Sequence, residues 1–539
     1  MATIRLPMPS LEHRKAAARV KAALALHPVV IVQGPRHSGF LEEKTAKEEE
    51  DDEVTGAAKL EGPRSSALLA RAVGSQRAVF DLNVEETRQG AAADPKAFIN
   101  QLPADAPVTI LEAQRAPKLL GAIKDALDRA AKTGSGKDKP SGRYLLTSAV
   151  DLIHLPDDAT YPVNVVPPAL IDKVGLNTAG TVCAINLPLP SQCELLDSQT
   201  NWLDAVFAGQ LTQLQANPAN ARNGEALVEA ALKGGFLEAV SRIKSRSRHA
   251  WLKKHLQNQL VWEYEVIRKL SKREIKAGLP PRVAPLPSDL QEVRKFLAFD
   301  RPARLNELLE VLARHSGGLC NFRQFGLAMG FDSKTAERYT QAMELMFLVE
   351  RLPALGSQDG TEALLEDASR MVKADKLHFV DSGQLADLLD QNAVARYRER
   401  AASVAEGGTV WSPEMAQVLE SFVFGELKKH ALASPNNYRF AHYRDHDQQQ
   451  VDLVVANAAG HVIGIDVVAD DTVKNRDFSG LKILNGKVGK NFKLGIILYD
   501  GTETKPGPQM PGNGKLWIVP VSSLWGEVAA KGQGARPAL

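Results

Sequence analysis

The chain has 539 residues, which is too many for one compact core, so three or four domains are expected. Its composition, 44% hydrophobic and 24% charged, is ordinary for a globular protein, and the formal net charge of +2 neither favours nor excludes a polyanionic partner. No apolar stretch reaches the length of a membrane span, no apolar signal region is seen and Cys183, Cys193 and Cys320 form no CxxC pair, which predicts a cytoplasmic protein without a zinc site.

The first 190 residues alternate predicted helices and strands. A helical pattern precedes an apolar strand at Val29 to Val32, and later strands are predicted in RAVFDLN, APVTILEAQ and RYLLTSA. This alternation predicts a parallel sheet in an α/β layer. Residues 40–61 contain nine acidic and three basic residues and are predicted to be an exposed, mostly disordered insertion.

The middle of the chain is predicted to be helical. Residues 195–315 contain the basic stretch SRIKSRSRHAWLKK, which is either a polyanion-binding patch or a solvated helix face. A helix–turn–helix pattern follows between residues 321 and 353, and Ser333 is predicted to cap its second helix. Four apolar residues of this pattern are predicted to share a core: Leu327, Ala336, Met343 and Phe347.

A turn bounded by two glycines follows the first strand and matches the start of a phosphate-binding loop. Its residues, which are candidate ATP ligands, are Gly34, Pro35, Arg36, His37, Ser38 and Gly39. A working loop then needs a Lys ammonium and a hydroxyl that binds Mg²⁺, but Phe40 and Leu41 follow here. Because several charge-assisted contacts of roughly 1.5–3 kcal/mol each are missing, we expect ATP binding to be weakened by orders of magnitude.

The chain resembles bacterial and archaeal ATP-binding proteins with an N-terminal AAA-type P-loop domain and a C-terminal domain of unknown function. The resemblance is carried by GPRHSG, TILEAQRAPKLLGAIKDALDR, RYLLTSA, LPLPSQCEL, KLHFVDSG, VLESFVFGELKKH, VDLVVA, VIGIDVVA and LYDG. It implies a P-loop AAA-like parallel sheet in residues 1–194, a helical segment in 195–315, a winged helix-turn-helix in 316–365 and a restriction-endonuclease-like α/β domain in 366–539.

Several ATPase positions of this family are altered. Relatives have Asp-Glu in the Walker B motif, where the two acids hold Mg²⁺ and orient the attacking water, whereas TILEAQRAP contains only Glu112. The sensor strand retains Thr147 and Ser148 without the family's glycine, and Thr181 replaces an arginine that would stabilise phosphoryl charge. These departures predict that hydrolysis is lost.

The nuclease-like domain is altered in the same way. Such a core places an Asp at one strand end and Glu-x-Lys on the next strand, where the carboxylates hold Mg²⁺ and the lysine positions the nucleophile. Asp452 and Asp466 match the two carboxylates and are candidate metal ligands and catalytic residues, but Val468 replaces the lysine. Glu420 on the preceding helix is a further candidate ligand, whereas Gln450 replaces a family glutamate.

The helix–turn–helix offers a third kind of site. Arg323, Lys334 and Arg338 are candidate contacts to nucleic-acid phosphates, although such units also serve only as packing modules between domains.

Three functions therefore compete. The first is a pseudo-ATPase scaffold that binds a protein or DNA and needs no cofactor. The second is an ATPase-family protein that still binds ATP and Mg²⁺ weakly at Gly34 to Gly39. The third is a remnant metal-dependent nuclease that uses Asp452 and Asp466. Oligomeric state and pathway are not predicted.

Overall fold

The computed structural model describes most of the chain. The described residues are 15–35, 77–104, 106–116, 118–133, 141–151, 182–215, 222–242, 246–257, 259–260, 303–357, 361–389, 411–510 and 514–528. The predicted acidic insertion, Arg36 to Gly39 and Thr181 lie outside the described residues. No described helix is both long enough and apolar enough to cross a membrane.

A five-stranded parallel sheet forms the N-terminal part, which confirms the predicted α/β layer. Its strands are β1 (Val29–Gln33), β2 (Ala78–Asp81), β3 (Val108–Leu111), β4 (Tyr144–Ser148) and β5 (Val182–Asn186), in the order β2-β3-β4-β1-β5. Its helices are α1 (Lys15–Leu26), α2 (Glu85–Ala93), α3 (Pro95–Gln101) and α4 (Leu119–Thr133). Val29 and Ile31 pack on one face and Val30 and Val32 on the other. The continuous apolar run of β1 is therefore that of a strand buried on both faces.

Short helices follow this sheet. They are α5 (Gln192–Leu195), α6 (Trp202–Phe207), α7 (Glu225–Lys233) and α8 (Leu237–Ser241), with strand β6 (Leu214–Gln215) between α6 and α7. Residues 246–257 are also helical. A capping box begins α5, because the Ser191 side chain accepts from the Glu194 amide and the Glu194 carboxylate accepts from the Ser191 amide.

Three helices and a strand pair form the next unit. They are α9 (Ala303–Ala313), α10 (Phe322–Met329), α11 (Ser333–Leu345), β7 (Val349–Leu352) and β8 (Lys376–Phe379). The helix–turn–helix pattern is present, but Asp332 rather than Ser333 caps α11 by accepting from the Thr335 amide at 2.8 Å. Ala336 and Met343 are fully buried as predicted and Phe347 is partly buried, whereas Leu327 is 73% exposed because it lies on the outer face of α10.

A mixed six-stranded sheet forms the C-terminal part. After α12 (Ser382–Leu388) and the long α13 (Pro413–Ala433), its strands have the order β13-β14-β12-β11-β10-β9. They are β9 (Arg439–Arg444), β10 (Gln450–Ala456), β11 (Val462–Val468), β12 (Phe492–Tyr499), β13 (Lys505–Pro506) and β14 (Lys515–Pro520), with α14 (Ser479–Val488) between β11 and β12 and β15 (Glu527–Val528) last.

The largest hydrophobic core crosses the predicted segment boundaries. It joins Trp202 of α6, Leu308 of α9, Phe325 of α10, Val423 of α13 and Trp525 near the end of the described chain. The helical middle and the C-terminal sheet therefore share one interior.

Candidate functional site

Four titratable side chains from separate elements meet at one face of the C-terminal sheet. Asp452 and Asp466 lie on the antiparallel strands β10 and β11, each one residue beyond the paired Leu453 and Ile465 and next to a bulge in β10. Glu420 comes from α13 and Lys376 from β8. A bulge re-aims side chains locally, which fits the placement of Asp452 in a buried polar cluster.

The ammonium group of Lys376 lies between two of these carboxylates. Its Nζ is 2.8 Å from Oε1 of Glu420 and 3.0 Å from Oδ1 of Asp452. The Lys376 side chain is only 2% exposed and that of Asp452 only 9%. These distances define two charge-assisted hydrogen bonds in a site with little water.

Backbone amides hold one further oxygen of each aspartate. Oδ1 of Asp466 accepts from the Asp452 amide at 2.9 Å, and Oδ2 of Asp452 accepts from the Val467 amide at 3.1 Å. On the far side of Glu420, Gly317 has a φ of +75°, and a Cβ there would lie 2.9 Å from Oε2 of Glu420. The turn at Gly317 therefore closes over the carboxylate.

Two neutral histidines complete the cluster. His378 lies two residues after Lys376, so both side chains project from the same face of β8. Its Nε2 lies 3.9 Å from Oε1 of Glu420, and its ring stacks on Phe424 with the ring centres 4.4 Å apart. His442 of β9 donates from Nε2 to the Ala374 carbonyl at 2.9 Å.

Burial and mutual charge shift the protonation of the cluster. Burial lowers the pKa of His442 to about 3, and the Lys376 ammonium adds to that effect. Burial and then the Asp452 charge raise the pKa of Glu420 to about 7, against the pull of Lys376. Burial and Asp452 also raise the pKa of Asp466 well above its ordinary value, which favours its protonated form. Burial alone would lower the pKa of Lys376, but Asp452 and Glu420 raise it, so the lysine stays charged.

This arrangement does not fit the divalent metal that the nuclease resemblance implies. Asp452 and Glu420 direct their oxygens at an ammonium, and Asp466 is stabilised in its protonated form. Mg²⁺ needs ionised oxygen ligands and near-octahedral access. Among the described residues, no group of three or more His, Cys, Asp and Glu side chains is arranged to hold a metal ion.

The first residue of the predicted phosphate loop, Gly34, is hydrogen-bonded to a neighbouring strand of the parallel sheet. The Gly34 amide donates to the Ser148 carbonyl at 3.2 Å, and a Cβ at Gly34 would lie 2.1 Å from the Leu187 carbonyl oxygen. Beside it, the Gln33 amide group donates to Asp151 at 2.7 Å and to Asn186 at 3.0 Å. Pro35 is buried and ends this described stretch. The crevice at the carboxyl end of β1 is thus lined by polar groups that bond one another.

Glu112 is 2% exposed and occupies the left-handed backbone region with a φ of +60°. Its Oε2 accepts from Nε2 of Gln114 at 3.0 Å and lies 3.9 Å from Nε of Arg115. Its amide donates to the hydroxyl of Thr147 at 3.1 Å. The structure therefore brings Glu112 and Thr147 together, with the glutamate carboxylate engaged by its own neighbours.

The basic candidates divide into exposed and buried residues. Arg323 on α10 and Lys334 on α11 are exposed, whereas Arg338 is half-buried and donates to the Thr335 hydroxyl at 3.0 Å. In the basic stretch, Arg248 is buried and pairs with Glu229 at 3.2 Å. Part of the predicted polyanion surface is thus committed to internal contacts.

Sequence reasoning missed Lys376, because the family pattern places the lysine two residues after Asp466. The strand KLHF contained a signal that could have identified the lysine. A buried strand rarely carries both a lysine and a histidine on the same face, as Lys376 and His378 do here. The partners of Lys376 lie 44 and 76 residues further along the chain.

Two family profiles match parts of the chain. A domain of unknown function, DUF4143, matches residues 415–524, and a second domain of unknown function, DUF8612, matches residues 290–395. Neither covers half of the chain. A search of curated proteins gave no significant match. The first match agrees with the expected C-terminal domain of unknown function, and the charged cluster joins the two matched regions, with Lys376 in one and the three carboxyl groups in the other.

Proposed function

We propose that this protein is a binding scaffold, a degenerate relative of AAA-type ATPases that holds a protein or nucleic-acid partner and no longer hydrolyses ATP. The observation that carries the proposal is the hydrogen bonding among the described polar groups at the carboxyl end of β1. In open parallel sheets a ligand binds where neighbouring connections leave a strand in opposite directions, and β1 between β4 and β5 is such a place. Here Gln33, Asp151 and Asn186 bond one another, and the Gly34 amide is already donated.

The sequence adds the chemical reason for this proposal. Phe40 and Leu41 offer neither the ammonium nor the hydroxyl that a triphosphate and its Mg²⁺ require. The Glu112 carboxylate, which would serve either as the metal partner or as the base that orients the attacking water, accepts from Gln114. Binding and catalysis are therefore both impaired.

The architecture supports the finer family assignments of this proposal. The parallel order around β1 suits a P-loop AAA-like domain. Leu319 forms a bridge to Lys376 beside the β7–β8 pair and helices α9 to α11, which suits a winged helix-turn-helix. The carboxyl groups on β10, β11 and α13 suit a restriction-endonuclease-like domain.

The crevice is also tied to the helix–turn–helix unit. The Asp151 amide donates to the Leu345 carbonyl at 2.9 Å, at the last residue of α11, and the Gln259 side chain donates to Met346 at 2.8 Å. A scaffold whose parts are fixed to one another presents its partner surface in a constant geometry, which limits the entropic cost of binding.

Calorimetric titration with MgATP and a phosphate-release assay test the loss of ATPase function. We expect no saturable binding at micromolar nucleotide and no release above the blank. Glu112→Gln is the matched variant, because it keeps the shape of the side chain and removes its charge. Micromolar affinity together with release that Glu112→Gln abolishes would overturn the proposal.

A gel-shift series across salt concentration distinguishes a nucleic-acid partner from a protein partner. If DNA is the partner, Arg323→Ala with Lys334→Ala should lower the slope of log K against log salt by about 1.8, since each phosphate contact contributes about 0.9. Lys482→Ala, which removes an exposed lysine on α14, is the control and should leave the slope unchanged. Absence of a DNA shift even at low salt would instead favour a protein partner.

A further inference from the structure

We propose that the ammonium group of Lys376 is a built-in cation that makes the Glu420–Asp452–Asp466 cluster a metal-independent joint between β8 and the C-terminal sheet. The proposal does not depend on what the crevice at β1 binds.

The position of the ammonium supports this role. Lys376 bonds Glu420 of α13 and Asp452 of β10 at 2.8 and 3.0 Å, so one side chain links β8 to both a helix and a strand of the C-terminal part. The exposed fraction of its side chain is 2%. A divalent ion at these oxygens would have to displace this buried ammonium.

The histidines supply a second, independent observation. In the described part of the chain, Nε2 of His378 and Nδ1 of His442 have no hydrogen-bond partner, although both rings are fully buried. His378 directs this nitrogen toward Glu420 at 3.9 Å. Imidazole nitrogens and carboxylate oxygens that lie close together are typical ligands of transition metals. The lysine is therefore what distinguishes this cluster from a cation site.

The proposal predicts that removing the lysine converts the joint into a metal site. Lys376→Met frees an oxygen of Glu420 and one of Asp452 next to the His378 nitrogen. The probe is Mn²⁺ alone, which accepts both oxygen and imidazole ligands. The measurement is the melting temperature of the full chain with EDTA and with millimolar MnCl₂.

We expect the melting temperature of the wild-type protein to be the same in EDTA and in Mn²⁺. Lys376→Met should lower it in EDTA by on the order of 10 °C, because two buried carboxylates lose their counter-ion. Mn²⁺ should then recover several degrees of this loss, since a ligand that binds only the folded state stabilises it.

Two further variants make the result specific. Lys428→Met removes a lysine that pairs with Glu350 at 2.7 Å between the same parts of the chain, but at a partly exposed site. It should lower the melting temperature little and should not respond to Mn²⁺. Lys376→Met combined with Asp452→Asn removes one charge of each sign, so it should be more stable than Lys376→Met in EDTA and should lose the Mn²⁺ response.

Two results would overturn the proposal. One is a wild-type melting temperature that rises by several degrees in Mn²⁺, which can be measured even if Lys376→Met does not fold. The other is a folded Lys376→Met protein that does not respond to Mn²⁺.

Discussion

His442 is buried beside a permanent positive charge, which makes the folded state sensitive to acid. Its pKa is lowered to about 3 by burial and by Lys376, whereas an unfolded histidine titrates near 6.5. Between these values the unfolded chain binds a proton that the folded chain does not. The His442 contribution to stability is therefore complete above about pH 6.5 and is lost as the pH falls toward 3.

We predict that His442→Gln flattens this acid dependence. The free energy of unfolding of the wild-type protein should fall more steeply below pH 6.5, by up to about 1.4 kcal/mol per pH unit relative to the variant. Urea unfolding followed by circular dichroism between pH 4 and pH 8 measures the difference. His461→Gln, which removes an exposed histidine, should keep the wild-type slope. Parallel curves for wild type and His442→Gln would contradict the prediction.

The charged cluster also shows how far single residues can be predicted from sequence. Asp452, Asp466 and Glu420 were identified because they follow strand and helix patterns of a resembled family. The role of Lys376 was not, because its partners are brought to it by sheet pairing and helix packing far along the chain. The spacing of residues in the sequence predicts contacts between near neighbours, whereas ion pairs between residues far apart in the chain depend on the tertiary structure.

At the scale of elements, the close approach of the Gly317 turn to Glu420 leaves no room for a side chain at residue 317. We predict that Gly317→Ala lowers the free energy of unfolding by more than Gly209→Ala does. Both glycines have left-handed backbones, with φ of +75° and +77°, but only the first has a neighbour within 4 Å of an added Cβ. Gly209→Ala should cost about 1–2 kcal/mol for its backbone and Gly317→Ala about 1–3 kcal/mol more for the contact.

Chemical denaturation of both glycine variants provides the measurement. Equal losses would show that Glu420 moves away from the added methyl group without cost. A larger loss for Gly317→Ala would show that the cluster is rigid, as its two ion pairs require.

The sequence predicted the helices and strands more reliably than it predicted which of their residues are exposed. The alternation of apolar runs and helical patterns predicted the parallel sheet correctly, because β1 is buried on both faces. The core prediction for Leu327 is wrong because α10 is short and its periodicity fits more than one face. The cap of α11 was misplaced by one residue, since Asp332 and Ser333 are both good capping residues and only the backbone conformation selects between them.

At the scale of the whole molecule, residues near the end of the described chain pack into the same hydrophobic core as the helical middle. Trp525 is 1% exposed and its ring lies 6.3 Å from that of Phe422, while Trp202 donates to the Ser523 hydroxyl at 3.1 Å. We predict that Trp525→Ala costs about 3–5 kcal/mol of unfolding free energy through the cavity it leaves. Trp517→Ala, at a partly buried position, should cost less, and guanidinium unfolding monitored by circular dichroism compares the two.

The pairing of residues 523 to 528 with α6 and β6 has a consequence for biosynthesis. A ribosome that adds about 5–20 residues per second reaches Trp525 roughly 15–60 s after it has made Trp202. During that interval the apolar side of α6 lacks its final covering. Nascent chains stalled before this segment should therefore be good clients for ribosome-associated chaperones, and synthesis and docking of the segment should end that dependence.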